Sequence, residues 1–428
     1  MSLYTATCLV VANMVGTGVF TSLGYQLIGG LTPFVILMLW LVGGVCAFCG
    51  GVAYAELAAA LPRSGGEYHF LARIFHPSVG FLAGWISITA GFAAPVALGA
   101  MAFAKYVHGV RPILGEMTLG FLALAFITVV MLASAKLREW FQNVSTSLSF
   151  LAILVFLAAG FFAPAHGSSL APLAGDTARM FSPGFATSLV YVMFAYAGWN
   201  ASTYVTAEVR NPSRNVPLSM AIGTVIVTVI YIAINAIFLR AAPAAELSGQ
   251  NEVGLIAGTH VFGTAGGKWM ALVIAAGLLS HIGSMQWIGP RVTATMGEDN
   301  RVLRPFSILN ASGIPIIATL FQTAIAALMI ATNSFEKVLT YVQFTISLCS
   351  ALVVVGVFVL RVREPNLPRP VRAWGYPFTP AIFLIVTGWM LWYVFRAHPK
   401  ESLAGLGTIL LGLVVFLLSP SQKKKTEL

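Results

Sequence analysis

Hydrophobic positions in this chain fall into long unbroken runs separated by short polar connections. Runs near the ~20 residues that cross a bilayer as a helix lie at about 3–28, 33–61, 77–107, 113–135, 139–164 and 183–208. Six more follow at 216–241, 267–294, 312–332, 335–361, 378–397 and 401–419. Barrel strands would alternate apolar and polar residues, so the pattern predicts an all-α membrane protein of twelve transmembrane helices. No polar stretch is long enough for a soluble domain, which leaves one membrane domain over 1–428. The longest connection, 242–266, is expected to form a lid or loop with a short helix.

Two runs carry weak points near mid-depth. The first contains "NMVGTGVFTS", where Gly16-Thr17-Gly18 interrupt the helical pattern, and the sixth contains "FAYAGWNAST", with Gly198 followed by Asn200 and Ser202. A break in hydrocarbon frees backbone groups at several kcal/mol each, so it is tolerated only where it lines a cavity. The sixth run lies five runs after the first, an odd offset, so two five-helix repeats would insert with opposite orientation. Paired interruptions of this kind point to a transporter site at the bilayer midplane. The start of a second half-helix offers N–H groups and partial positive charge to a carboxylate, and the end of the first half offers C=O groups to an ammonium. Close packing through small residues is the competing reading.

Composition agrees with a membrane protein: 58% of residues are hydrophobic and 9% charged, against roughly 25% charged in soluble domains. The net charge of +10 does not indicate nucleic acid, because the basic residues punctuate apolar runs. With the N-terminus in the cytoplasm, sixteen Lys and Arg fall on the inner side and eight on the outer, which places both termini inside. The tail "QKKKTEL" falls on the same side. A cleavable signal peptide is not expected over 1–29, since no charged segment precedes an over-long apolar run. Cys8, Cys46, Cys49 and Cys349 all lie in apolar stretches and read as small apolar side chains, with no disulfide, metal site or cofactor implied. No HExxH, P-loop or Ser/His/Asp arrangement is present, so neither an enzyme nor an ATP-driven pump is expected.

These motifs resemble the amino acid–polyamine–organocation (APC) transporters, specifically their L-amino acid transporter-like branch, which share the LeuT-type fold. "VVANMVGTGVF" (10–20) resembles the first-helix signature and "YAELAAALPRSGGEYHFL" (54–71) the end of helix 2 with its loop. "FAYAGWNASTYVTAEVRNPSRNVP" (194–217) is similar to the helix 6 signature, "GPRVTATMGEDN" (289–300) to the end of helix 8, and "LRVREPNLPRPVRAWGYPFTP" (360–380) to the connection before helix 11. The resemblance implies a five-plus-five inverted repeat (1–164 and 183–361) with broken helices 1 and 6, and two extra helices (378–419).

By the same resemblance, the amides of Gly16, Thr17 and Gly18 and the Thr17 hydroxyl bind substrate carboxylate. The carbonyls of Met14, Phe194 and Ala197 take the amine at the Gly198 break, and Phe194 is the outer aromatic gate. Many relatives carry a Lys in helix 5; here Ser149 takes that place as the candidate ion or coupling site, where it would ligate Na⁺, bind a water or back-bond to its own helix. Met285 and Trp287 are the candidates for the side-chain pocket. His281 lies in the same run, and a packing role is the simpler reading for a lone histidine. Glu56, Glu208, Arg210, Arg291 and Asp299 near helix ends read either as a cytoplasmic gate network or as solvated interface charges. The connection at 105–117 has no cysteine, so no disulfide-linked heavy chain is expected.

No charged residue accompanies either break, which favours neutral L-amino acids as substrates. The expectation is a secondary transporter in the plasma (inner) membrane working by alternating access, as exchanger or ion-coupled symporter. A non-transporting sensor or channel of the same fold is the alternative.

Overall fold

A computed structural model describes residues 2–63, 65–133, 135–310, 313–332 and 334–419. The basic tail and the side chain of Glu208 lie outside the described part. The chain opens with α1 (Leu3–Met14), α2 (Thr17–Ile28), α3 (Pro33–Ala60), α4 (Gly66–Ile74) and α5 (Pro77–Ile86). A π-helical segment, Ser87–Phe92, leads into α6 (Ala93–Val110), followed by α7 (Glu116–Leu132), α8 (Ala135–Phe162) and α9 (Asp176–Met180). Next come α10 (Pro183–Tyr196), a 3-10 helix at Ala201–Glu208, α11 (Pro212–Ala241), α12 (Ala244–Leu247) and α13 (Val253–Asp299). A second 3-10 helix, Arg301–Ser307, precedes α14 (Ile316–Thr332), α15 (Phe335–Arg363), α16 (Phe378–Ala397) and α17 (Pro399–Leu418).

Each of the twelve apolar runs holds a helix. Among the described residues nine helices are long and apolar enough to cross a membrane, and α7, α10 and α14 are apolar but shorter. The described part is all helical, as its continuous apolar runs require. The connection at 242–266 forms α12 and the first part of α13, which kinks at Gly263 with φ 74°. It packs down on α2, where Gly249 N–H donates to Gly24 C=O at 2.9 Å.

Lipid tails are as apolar as leucine, so helices in a membrane associate through close packing and hydrogen bonds. The glycine-rich stretch of α3 shows this. A Cβ on Gly44 would meet the Thr228 side chain of α11 at 2.5 Å, and one on Gly50 would meet Phe383 of α16 at 2.7 Å. Trp40, Tyr196 and Tyr231 form an aromatic cluster between α3, α10 and α11, with ring centroids 5.1–6.1 Å apart. Large apolar side chains such as Leu154, Phe162, Ile385 and Leu417 stay exposed on the outer helices, as a lipid-facing surface requires. The cysteines are free thiols, Cys46, Cys49 and Cys349 being buried in this packing.

Candidate functional site

Both weak points in the sequence are real interruptions. After α1 the chain runs through Val15 (φ −74°, ψ 91°) and Gly16 (φ −136°, ψ −145°) before α2 begins at Thr17, and no side chain caps that start. After α10 it passes Ala197 (φ −54°, ψ 137°) and Gly198, whose φ of +106° favours glycine. The two interruptions touch each other. A Cβ on Gly198 would lie 2.9 Å from the carbonyl of Asn13, and one on Gly18 would lie 2.5 Å from Cα of Ala195. Glycine is thus placed where two backbones cross, and each break supports the other.

Breaking a helix frees carbonyls, and one hydroxyl lies within reach of two of them, with one proton to share. The Tyr231 hydroxyl of α11 lies 2.5 Å from Met14 C=O and 3.0 Å from Ala195 C=O. A carbonyl has two lone pairs, so Met14 keeps one acceptor position. Tyr231 was legible only as a tyrosine inside an apolar run, whose hydroxyl must find a partner at membrane depth.

A cavity of about 100 Å³ lies at this crossing. Met14, Gly16, Thr17, Gly18, Phe194, Ala197 and Gly198 all line it, so residues from the first and sixth runs meet in one place. Met285 lines it too, with Ile86, Phe92 and Ile288 completing an apolar wall. Thr17 is 1% exposed and its Oγ1 has no hydrogen-bond partner. Phe194 is buried in the wall formed by α10.

Two predicted residues lie elsewhere. Trp287 is two residues past Met285, which turns it about 200° around the helix. It packs between Arg138 and Arg291, with guanidinium carbons 5.2 and 5.5 Å from its ring. Ser149 is not among the cavity residues; its hydroxyl donates to Ser145 C=O at 2.8 Å and sits against Gly277 of α13.

The structure also brings in a carboxyl that sequence reasoning overlooked. Glu67 is 5% exposed and lines the cavity from the first turn of α4. Tyr54 donates to its Oε1 at 2.5 Å and Ser350 at 3.1 Å. Burial raises the Glu67 carboxyl above the usual range, with the Tyr54 and Ser350 hydroxyls opposing the shift. The turn before it uses Gly65 (φ 123°) and Gly66 (φ 52°), so "GGE" marks a sharp entry that carries Glu67 inward. That double glycine ahead of an acidic residue was the available signal.

One helical turn from Phe194, Tyr191 stacks on Tyr25 at 5.4 Å, and Tyr25 stacks on Phe335 at 5.9 Å. This three-ring layer joins α2, α10 and α15, and a second hollow of about 400 Å³ begins at Tyr25. At the helix ends, Glu56 is buried and accepts from Arg361 at 2.6 and 2.9 Å and from Ala373 N–H at 2.7 Å, with Arg369 at 3.3 Å. Asp299 accepts from the Tyr68 hydroxyl at 2.9 Å.

Comparison with known proteins adds the chain's lineage. A family model described as amino acid permease matches residues 1–416. The chain is 27% identical to the mouse (Mus musculus) b(0,+)-type amino acid transporter 1, covering 98% of this chain and 87% of that protein. It is 26% identical to the mouse Asc-type amino acid transporter 1, over 100% of this chain and 82% of the relative. The human (Homo sapiens) large neutral amino acids transporter small subunit 2 is also 26% identical, over 98% and 80%. With residues 1–416 matched and nine of its described helices long and apolar enough to cross a bilayer, the chain belongs to the amino acid permease family, as a multi-pass membrane transporter and not an enzyme.

Proposed function

We propose that the protein is a secondary transporter that moves neutral L-amino acids across the plasma (inner) membrane by alternating access. The observation that carries this reading is the crossing of two broken helices at one buried cavity. There the uncapped start of α2 offers N–H groups and the Thr17 hydroxyl to a carboxylate, while the Met14, Phe194 and Ala197 carbonyls suit the ammonium. An α-amino acid presents both groups on adjacent atoms. Among the described residues the wall gives an acidic side chain no lysine or arginine, and Glu67 already serves Tyr54 and Ser350, so a neutral side chain fits best. Met285 belongs to the pocket for that side chain.

In this reading twelve helices span the membrane with both termini cytoplasmic. The five-helix halves 1–164 and 183–361 form the inverted repeat, with 378–419 appended. Phe194 is the inner leaf of the outer gate, and the Tyr25–Tyr191–Phe335 stack closes above it. Such a device works as an exchanger or an ion-coupled symporter, with Ser149 the proposed coupling position. No disulfide-linked heavy chain is proposed, because 105–117 lacks cysteine.

The test is uptake by the purified protein in liposomes. Saturable, competable accumulation of at least one neutral L-amino acid is expected. Binding in detergent without any saturable flux would contradict transport and leave a sensor.

A further inference from the structure

We propose that the imidazole of His281 is a direct ligand of the substrate carboxylate, adding a side-chain donor to the backbone amides at the start of α2. The proposal rests on the amino acid reading above and assigns its site one more residue. His281 is 8% exposed, and neither Nδ1 nor Nε2 has a hydrogen-bond partner. A histidine that only packs normally gives at least one ring nitrogen to a carbonyl or hydroxyl, because burying both dry is unfavourable. His281 instead lines the cavity at the crossing of the two breaks.

Its position beside the break is tightly set. A Cβ on Gly16 would lie 2.5 Å from His281 Nδ1, and one on Gly99 of α6 would lie 3.7 Å from its Cδ2. The ring therefore occupies a slot between two glycines, against the residue that caps α2. Thr17 Oγ1 is a further buried polar atom without a partner at the same break. Two unmet donors, one imidazole N–H and the Thr17 hydroxyl, lie at this cavity next to uncapped amides and call for an anionic acceptor there. A neutral imidazole carries one N–H donor, and a carboxylate seated on the first amides of α2 comes within its reach. Among the described residues no group takes that donor.

The experiment measures equilibrium binding to the full-length protein in detergent. The probes are L-alanine, L-leucine and L-phenylalanine, each compared with its methyl ester, which lacks the carboxylate charge. The wild type is expected to prefer the free acids. In His281→Leu, affinity for the acids should fall about 10- to 100-fold, the range for losing a hydrogen bond to a charged group. Ester affinity should change by less than about threefold. His281→Gln, which restores an N–H, should recover most of the acid preference.

An equal fall for acids and esters, or an unchanged acid affinity, would overturn the assignment. If His281→Leu does not fold, His281→Met and His281→Gln carry the comparison: loss of acid preference in Met alone supports the ligand role, and retention in both overturns it. A wild-type protein that binds none of the acids would sink the transporter reading itself, and this inference with it.

Discussion

Substituting Gly198 by alanine places one methyl group at the point where the two interruptions meet. The residue holds φ at +106°, and the new Cβ would sit 2.9 Å from both C and O of Asn13 and 3.1 Å from its Cβ. A non-glycine residue in that backbone region costs about 1–3 kcal/mol. Crowding a fixed backbone carbonyl adds about 1–3 kcal/mol more. The sum, about 2–5 kcal/mol, cannot be relieved by a rotamer change, because the atoms met are mostly backbone. The structure must either lose stability or separate the breaks. Gly388→Ala is the control, since a Cβ there meets nothing within 4 Å. Thermal unfolding in detergent and amino acid binding are both measured. Gly198→Ala should unfold well below the wild type, and its binding should weaken at least about tenfold if 1.4 kcal/mol of the strain is taken up by moving the site. Gly388→Ala should match wild type in both. A Gly198→Ala protein with wild-type stability and affinity would refute the contact between the breaks.

Thr17 should split stability from binding. Thr17→Val removes a buried hydroxyl that has no partner, so the empty protein should be no less stable, while amino acid affinity falls about 5- to 30-fold and Thr17→Ser stays near wild type. Glu56→Ala leaves Arg361 and the buried Arg369 without their carboxylate, which should cost about 3–5 kcal/mol of unfolding free energy. The Arg73 guanidinium, 2.7 Å from Glu364, holds that exposed carboxyl below the usual range. Its contribution is therefore complete above the unfolded carboxyl value of about 4.3 and fades as pH falls through the lower folded value. An unfolding-against-pH series should show that acid-side loss in wild type and a smaller one in Arg73→Gln. Ser149→Ala should leave stability nearly unchanged, as its hydroxyl bonds only to its own helix; a loss of ion-dependent uptake in that variant would place the coupling site there.

The helices were readable because membrane spans announce themselves as continuous apolar runs, and the breaks because glycine and threonine interrupt those runs. What the sequence could not show is that Gly198 lies on Asn13 and Gly18 on Ala195, since contacts across some 180 residues leave no local trace. Met285 and Trp287 were indistinguishable by composition; the helical turn decides that Met285 faces the cavity and Trp287 the two arginines. Glu67 was missed because "PRSGGEYHFL" reads as a connection, whereas the Gly65-Gly66 turn drives it back into the protein. Its presence qualifies the argument that no charge accompanies the breaks: the carboxyl is at the cavity wall, held by hydroxyl donors and not by a cation. His281 read most simply as a packing residue, and its two unpartnered nitrogens oppose that reading.

Counterflow in proteoliposomes tests the central claim most directly. Vesicles loaded with each of the twenty amino acids in turn are given a trace of labelled neutral amino acid outside, with and without Na⁺ and a pH gradient. Transient accumulation of label above equilibrium with at least one neutral amino acid inside, lost in Gly198→Ala, is the predicted result. No counterflow with any internal amino acid under any ion condition, from protein that is folded and inserted, would contradict it.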